Sequence, residues 1–481
     1  MIAIPLDRTA AATLQEQIYR ALRARIVAGV LPTGARLAAT RELAQALGVS
    51  RNTVVLAYER LAAEGYVDTR PGAGAFVTAQ VLERPPAPAA APQAPPADAA
   101  LPPVSGPRLV TRADPRAVLD LWYARPDPRL FPAHLWRRLG HAALGACAIG
   151  LSDYGPVGGD PRLRQAIADH LALTRGIAAH PDQVVVTSGA QEALNLIARL
   201  FLAQGDAVAV EDPGYAAAAQ VFAAHGARLH PAPVDAEGLD PEALAGFAPR
   251  LVYVTPAHQF PTGAAMSAAR RRALIAHCAG HGGLIVEDDY DGEIVLDRPP
   301  AAALAALDPG ARTLFVGSFS KTIGSGLRLG YMVVPPRFAA AARATKSLMS
   351  YGQSWLDQQI LAAFLEGGGY RRHLNRLRTA YRARRDAARA GLWRVFGDRL
   401  ALAGGGAGLH LHATLAAGAA DAAEIAATAR AVGVGLHPAA ACGVRGQPDA
   451  LARTLLIGFG ALTPAELATA FTRLETALGR A

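Results

Sequence analysis

Short apolar runs alternate with amphipathic segments between about residue 115 and residue 365. The runs QVVVTS, DAVAVED, LVYVTP, GLIVEDD and TLFVGS each end in turn-forming or polar residues, and apolar positions at helical spacing occupy the intervals. Buried parallel strands and the helices that connect them have this pattern. It predicts an α/β domain with a mainly parallel sheet. Beyond about residue 365, helical segments and the runs LHLHATL and LLIGFG predict a smaller α+β C-terminal lobe.

The first 80 residues have a different pattern, which predicts three short helices and a pair of strands. The first helix carries apolar residues at helical spacing, namely Leu14, Ile18, Leu22 and Ile26. A second helix is predicted to start near Thr40 as its N-cap and to end at Gly48, and Ser50 is predicted to cap a third that ends at Gly65. Two short helices with a glycine-containing turn are typical of a helix-turn-helix. The following YVDTRPGAGAFV predicts a two-stranded wing.

A proline-rich stretch separates these two parts of the chain. Residues 81–107 contain nine prolines and almost no large apolar residue, so they cannot form a core and are expected to be extended. The sequence therefore predicts three segments: a winged helix-turn-helix over 1–80, a Pro/Ala-rich linker over 81–114, and an α/β domain over 115–481.

Composition narrows the classes of protein to consider. The net charge of +9 is compatible with a polyanionic partner but is weak evidence alone. The chain has no apolar run long enough for a membrane span and no leader-like N-terminus, and its three cysteines, Cys147, Cys278 and Cys442, lie far apart. These features favour a cytoplasmic protein with reduced thiols and no membrane association. Only two lysines occur, Lys321 and Lys346.

Polar residues around the predicted turn between the second and third helices are candidates for contact with DNA. These candidates are Arg41, Ser50, Arg51, Asn52, Thr53 and Arg70. The first residues of the recognition helix face base edges and phosphates, and arginine can bridge guanine while asparagine can bridge adenine. Arg41 is expected to bind phosphate, and Arg70, at the wing tip, to follow the backbone or enter the minor groove. The alternative is a small dimerisation module with a solvated basic face.

Small and polar residues at the ends of the predicted α/β strands form a second set of candidates. They are Gly189, Ala190, Gln191, Tyr215, Asp288, Tyr290, Ser318, Lys321 and Arg328. The helix N-terminus at 189–191 can bind an anion, an acid such as Asp288 can pair with a pyridinium nitrogen, and a lysine can form a Schiff base with an aldehyde. Taken singly, Tyr215 is more simply a packing residue, the 287–289 acids a solvated turn or metal site, and a lysine a surface charge. No His or Cys lies near the acids in sequence, which argues against a metal.

Taken together, the motifs resemble a known family of regulators. TRELAQALGVSRNTVVLAYERLAAEGYVDTRPGAGAFV resembles the GntR-type winged helix-turn-helix, and the order SGAQEAL, DPGY, HQFPTG, EDDYDGE, SFSKTIGSGLRLGY resembles the fold-type I aminotransferase domain. The combination resembles the MocR/GabR family of transcription regulators. The resemblance implies pyridoxal 5'-phosphate (PLP) as cofactor, with Lys321 as its Schiff-base lysine and Asp288 as its pyridinium partner.

The same resemblance assigns the remaining residues of the site. It implies that Tyr290 lies near the phenolate oxygen and Tyr215 near the ring face. It implies that Ser318, Arg328 and the 189–191 backbone bind the phosphate. Tyr154 and Gly155 match a segment that borders the site in that family.

Three positions depart from the family's pattern. Phe260 stands where many aminotransferases have the Asn that holds the ring oxygen, and Leu456 stands at the position of the usual substrate-carboxylate arginine. Arg453 is a poor replacement for that arginine, and Ala217 replaces an arginine of the GABA-responsive members. These departures imply a site that keeps the cofactor but has weakened amino-acid transamination.

Three functions remain open from the sequence. The favoured one is a homodimeric, PLP-dependent regulator that binds double-stranded operator DNA and senses PLP or an amino compound. The second is an active aminotransferase that retains a DNA-binding head, and the third is a DNA-binding scaffold without PLP. The intact head favours the first over the second, and Lys321 with Asp288 favours the first over the third.

Overall fold

The computed structural model describes residues 4–70, 72–78, 118–123, 125–146, 149–297, 302–418, 420–444 and 449–479. The chain divides into two compact units, Met1–Gly106 and Pro107–Ala481. The predicted linker, 81–114, lies outside the described residues. No helix in the described ranges is both long and apolar enough to cross a membrane.

The first unit is a winged helix-turn-helix, as predicted. Its elements are α1 (Leu14–Val27), α2 (Thr40–Leu47), α3 (Arg51–Ala63), β1 (Val67–Arg70) and β2 (Gly74–Val77). The two strands pair antiparallel, with Arg70 opposite Gly74. The three helices bury their apolar faces in one core that includes Ile18, Leu22 and Leu61.

The helix ends of this unit follow the predicted turn chemistry with one exception. Gly48 ends α2 in the left-handed region at φ 62°, and the Ser50 hydroxyl accepts from the Thr53 N–H at 3.1 Å to cap α3. Thr40, predicted as the N-cap of α2, is instead its first helical residue, because Ala39 occupies the cap. The Glu42 carboxylate accepts from the Ala39 N–H at 3.3 Å in place of a capping hydroxyl.

The second unit contains a large α/β lobe. Its helices are α4 (Ala133–Ala146), α5 (Ile149–Ser152), α6 (Pro161–Arg175), α7 (Ala190–Phe201), α8 (Ala216–Ala224), α9 (Ala268–His281), α10 (Leu304–Leu307), α11 (Ala339–Ser347) and α12 (Trp355–Glu366). Its strands are β3 (Leu119–Asp120), β4 (Val184–Thr187), β5 (Ala207–Asp212), β6 (Arg228–Asp235), β7 (Gly238–Leu239), β8 (Leu251–Val254), β9 (Leu284–Asp289), β10 (Thr313–Ser318) and β11 (Gly330–Val333).

Eight of these strands form one sheet in the order β4-β11-β10-β9-β8-β5-β6-β7. Strands β10, β9, β8, β5 and β6 run parallel, which confirms the predicted α/β class. Strand β11 is antiparallel to both β10 and β4, so β4 points the same way as the parallel set. The carboxyl ends of β4, β5, β8, β9 and β10 therefore lie at one edge of the sheet, where open α/β sheets bind ligands.

The C-terminal part forms the predicted small α+β lobe. The long helix α13 (Gly369–Phe396) leads into it, and its other elements are β12 (Leu400–Gly404), β13 (His410–Leu415), α14 (Ala422–Ala431), β14 (Val434–Gly435), β15 (His437–Pro438), α15 (Asp449–Ala452), β16 (Thr454–Gly458) and α16 (Pro464–Leu478). An antiparallel sheet in the order β12-β13-β16-β15 is its framework, and β14 pairs with β3. One core cluster contains residues of both lobes, among them Leu361, Leu411 and Phe471.

Candidate functional site

The centre of the candidate site is a buried acid at the end of β9. Asp288 is 3% exposed, and the register places it beside Val316 of β10. Tyr253 of β8 lies on the same face of the sheet and donates its hydroxyl to Asp288 Oδ2 at 2.8 Å. The strand pairing thus fixes the position and orientation of this carboxylate.

The other oxygen of Asp288 has no partner among the described residues. Asp288 Oδ1 is buried without a hydrogen bond, which is costly unless a ligand supplies the donor. Burial raises the pKa of Asp288 to about 6, with a further increase from Asp291, while the Tyr253 hydroxyl and the Lys321 charge act against it. The half-buried Lys321 lies in the turn after β10, so its cation and the open carboxylate oxygen belong to the same site. A protonated ring nitrogen fits Oδ1 as its missing donor.

The turn between β4 and α7 has the features of an anion-binding site. Gly189 precedes α7 at φ 110°, in the left-handed region that favours glycine, and no N-cap side chain occupies the first N–H groups of α7. The Arg328 guanidinium lies 3.6 Å from the point that a Cβ on Gly189 would occupy. Gly330 approaches more closely still, since a Cβ there would lie 2.8 Å from Gly189 Cα. Helix N–H groups and a guanidinium side by side fit a phosphate.

The remaining candidates surround these two groups. Ser318 donates its hydroxyl to Ser320 Oγ at 2.9 Å, and the Ser320 N–H donates to Ser318 Oγ at 3.1 Å. Gln191 donates from Nε2 to the Tyr215 hydroxyl at 2.9 Å, which links the start of α7 to the turn after β5. The structure therefore places the predicted residues at one edge of the sheet, on the ends of β4, β5, β9 and β10 and the turns that follow.

Tyr290 has a neighbour that the sequence did not predict. Its hydroxyl lies 3.0 Å from Nδ1 of His258, and the same nitrogen lies 2.9 Å from Asp291 Oδ2. His410 of the small lobe packs against His258, with ring centroids 5.2 Å apart. Folding thus brings two histidines to an acid that has none nearby in sequence, and their ligand atoms and that of Asp291 all lie within 4.8 Å of one another. The sequence argument against a metal was therefore incomplete, although here Asp291 is hydrogen-bonded to His258.

A buried ion pair between Lys346 and Glu192 is hydrogen-bonded to the turn between β4 and α7. Lys346 of α11 is fully buried and donates to Glu192 Oε1 at 2.8 Å, and Glu192 Oε2 accepts from the Ser188 N–H at 2.5 Å. Burial opposes ionisation of Glu192, but hydrogen bonds from Lys346 and Ser350 outweigh it and hold the pKa of this carboxyl below its usual range. Sequence reasoning missed this pair because Lys346 lies 154 residues away from Glu192 and occupies an ordinary helical context. The scarcity of lysine was the one available signal.

Replacement of Lys346 by methionine is expected to weaken the binding of a phosphate-bearing cofactor at least about tenfold. The change leaves the Glu192 carboxylate uncompensated in the first turn of α7, where it would repel a phosphate. The double change Lys346→Met/Glu192→Gln removes both charges and is expected to recover most of the affinity. Absorbance titration with PLP measures both variants. Wild-type affinity in the single variant would contradict the argument.

Asp288 is expected to make stability depend on pH in the cofactor-free protein. Its folded-state pKa of about 6 lies above its ordinary value of 3.8, so the cost of ionising it is absent in strong acid and grows as the pH rises towards 6. Asp288→Asn removes this cost, and its stability relative to wild type is expected to rise by about 2 kcal/mol between about pH 4.5 and about pH 7.5. Urea unfolding at about pH 4.5 and about pH 7.5 measures the difference. An equal difference at both pH values would refute the assignment.

The positions that depart from the aminotransferase pattern form an apolar cluster beside the site. Leu456 is fully buried and packs with Phe260, Cys442 and Ala439. Arg453 donates to the backbone oxygens of Asp449 and Leu415. Its guanidinium is therefore used elsewhere and does not replace the missing arginine.

Ala217, which departs from the family's pattern, and Tyr154, which matches it, differ in exposure. Ala217 lies in the first turn of α8 and is half-buried. Tyr154 is 86% exposed, with its ring centroid 5.0 Å from that of Tyr351.

Four of the six predicted DNA contacts lie at the start of α3. Arg51 and Asn52 are exposed, and Arg51 donates from Nε to Thr40 Oγ1 of α2 at 3.3 Å. Arg41 is exposed on the first turn of α2. The hydroxyls of Ser50 and Thr53 lie 2.8 Å apart and are used in the helix cap.

Arg70, at the end of β1, is exposed but contacts two residues of the wing. It lies over the Phe76 ring, at 4.9 Å from the centroid, and pairs with Asp68 at 3.2 Å. Its charge is therefore partly balanced within the wing.

Comparison with family profiles assigns both units. The profile of bacterial regulatory proteins of the gntR family matches residues 14–77, and that of aminotransferase class I and II matches residues 148–471. The second match covers most of the large lobe and most of the small lobe, including the edge of the sheet that carries Asp288, Lys321 and Arg328.

Individual relatives share the same combination. The probable rhizopine catabolism regulatory protein MocR of Rhizobium meliloti is 36% identical over 84% of this chain and 82% of its own length. The pyridoxine biosynthesis transcriptional regulator PdxR of Corynebacterium glutamicum is 33% identical over 86% of this chain and 85% of its own length. A kynurenine aminotransferase structure from Pyrococcus horikoshii is 27% identical with a TM-score of 0.69, and the match covers 75% of this chain and 91% of that one.

Proposed function

The chain belongs to the gntR-type transcription regulators that carry an aminotransferase class I and II domain, and from this membership we propose that it is a PLP-dependent regulator of transcription. In this proposal residues 1–80 bind double-stranded operator DNA, residues 81–114 link the two parts, and residues 115–481 hold PLP. The fold of the second unit is that of aminotransferases, which use PLP in general.

The unpaired oxygen of Asp288 carries the cofactor assignment. This buried oxygen has no donor among the described residues, and the site also contains Lys321 and the turn where Arg328 lies beside Gly189. In this arrangement Lys321 supplies the amine that holds the cofactor, and Asp288 keeps a proton on the ring nitrogen. The α7 N–H groups and Arg328 bind the phosphate, and the Ser318 hydroxyl is a further donor to it. When bound, PLP supplies an aldehyde and an electron-poor ring that can react with amines.

A small amino compound or PLP itself is the proposed signal. An effector changes DNA binding only if it binds two conformations of the protein with different affinity. The second unit joins two lobes at the site, through contacts such as that of His410 with His258, so occupancy of the site can bias their arrangement. The relative PdxR, named for pyridoxine biosynthesis, supports PLP as one candidate signal.

We further propose that the protein acts as a homodimer. Tyr154 and Tyr351, 86% and 54% exposed, lie with their ring centroids 5.0 Å apart and form an exposed aromatic pair of a kind that a second copy covers. A dimer presents two copies of the recognition helix, α3, and fits paired half-sites in the operator.

Selection of duplexes from a random DNA library by the full-length protein tests the function. The expected result is an enriched sequence with two related half-sites, whose affinity differs at least about fivefold between PLP-loaded and PLP-free protein. Failure to enrich any sequence would contradict DNA-binding regulation. Steady turnover of amino acids with 2-oxoglutarate at ordinary enzymatic rates would favour an aminotransferase instead.

A further inference from the structure

An aromatic cluster that includes Tyr215 and Tyr290 lies beside the proposed PLP site. We define it by Phe260 and five residues that pack with it, namely Tyr123, Tyr215, Tyr290, Cys442 and Leu456. The Phe260 ring centroid lies 5.5 Å from that of Tyr123, 6.0 Å from that of Tyr215 and 6.1 Å from that of Tyr290. The three tyrosines are only half-buried, so part of each remains accessible.

The cluster adjoins the atoms proposed to hold the cofactor. Tyr290 follows Asp288 by two residues, and Tyr215 accepts a hydrogen bond from Gln191 at the start of α7. A molecule that reacts with the cofactor must therefore place the rest of its body against these rings.

Tyr123, Tyr290 and Cys442 are neutral at physiological pH. Burial raises the pKa values of Tyr123 and Tyr290 and raises that of the Cys442 thiol to about 12. His410, whose ring lies 5.7 Å from that of Phe260, has its pKa lowered to about 3 by burial. The nearest acids, Asp288 and Asp291, favour a positively charged or neutral molecule.

The two described arginines that lie nearest the cluster residues Tyr123 and Leu456 in sequence are engaged elsewhere. Arg125, two residues after Tyr123, pairs with Asp120 at 3.2 Å. Arg453, three residues before Leu456, is held by backbone oxygens. Moving a carboxylate into an apolar site without a cation costs several kcal/mol, whereas an aromatic body gains from burial and ring contacts.

We infer that the effector of this site is a primary amine with an aromatic or similarly apolar body and no carboxylate beside the amine. This inference rests on the proposed function, because it concerns the same PLP site. It excludes the ordinary α-amino acids as the preferred signal, and it assigns Leu456 and Phe260 as the residues that set this preference.

Titration of the PLP-loaded, full-length protein with phenethylamine and with L-phenylalanine tests the inference, since the two compounds differ only by the carboxylate. The change in the visible absorption of bound PLP gives each affinity. We expect phenethylamine to bind at least about tenfold more tightly. Equal or tighter binding of phenylalanine would overturn the inference, as would the absence of any response to phenethylamine.

Substitution at Leu456 provides a second measurement. Leu456→Arg adds a cation and is expected to shift the ranking towards phenylalanine at least about tenfold, while the volume-matched Leu456→Met keeps the wild-type ranking. If Leu456→Arg does not fold, the wild-type titration still decides. A protein that takes up no PLP would instead overturn the proposed function, and the inference with it.

Discussion

Replacement of Lys321 by alanine is expected to abolish the visible absorption band of protein-bound PLP. The band requires a covalent link between the cofactor and an amine, and Lys321 is the lysine that follows β10 and whose charge acts on Asp288. PLP is expected to bind this variant more weakly, through the phosphate cradle and Asp288 alone. Its absorbance should then resemble that of free PLP. Absorbance spectra after desalting measure the change.

The second lysine provides the matched control for this experiment. Lys346 is fully buried and its Nζ is bound to Glu192 and Ser350, so it is not available to an aldehyde. Lys346→Met at saturating PLP is therefore expected to keep the band. A band that persists in Lys321→Ala, or one that disappears only in Lys346→Met, would refute the assignment of Lys321.

Strand positions followed from the sequence more directly than strand directions. Five predicted runs became β4, β5, β8, β9 and β10, because each is a continuous apolar stretch that the sheet buries on both faces. Strand β11 has the same apolar character and yet runs antiparallel, because the sequence of a buried apolar strand does not indicate its direction. Strand β6 carries Pro231 and Pro233, which disguise it. Both nevertheless lie within the parallel pairing of β6 with β5, opposite Val210 and Asp212.

The candidate site was predictable where its residues follow strand ends. Asp288, Ser318 and Lys321 come directly from that rule, because parallel strands bring their carboxyl ends to one edge. The partners that tune these residues were not predictable. Tyr253 reads as a buried strand residue, and its hydrogen bond to Asp288 depends on the register of β8 with β9. His410 reaches His258 only through the packing of the small lobe on the large one.

Substitution of Arg51 by alanine is expected to weaken binding to the selected duplex by about 1–3 kcal/mol, or roughly five- to 150-fold. Arg51 is exposed at the first position of α3, and its hydrogen bond to Thr40 Oγ1 restrains the side chain before DNA binds. A restrained side chain loses less conformational entropy when it contacts a base. Fluorescence anisotropy with the selected duplex and with a scrambled one measures the effect, which is expected on the selected duplex alone.

Substitutions at two further arginines distinguish a base contact from a phosphate contact. Arg41→Ala is expected to weaken binding to both duplexes similarly and to reduce the salt dependence by about one counterion, because a phosphate contact is independent of sequence. Arg20→Ala is the matched control, since Arg20 is 68% exposed, is paired with Glu16 and belongs to α1 rather than to α2 or α3. Arg51→Ala protein that binds the selected duplex as tightly as wild type would remove Arg51 from the contacts. A loss shared equally with the scrambled duplex would make it a phosphate contact, like Arg41.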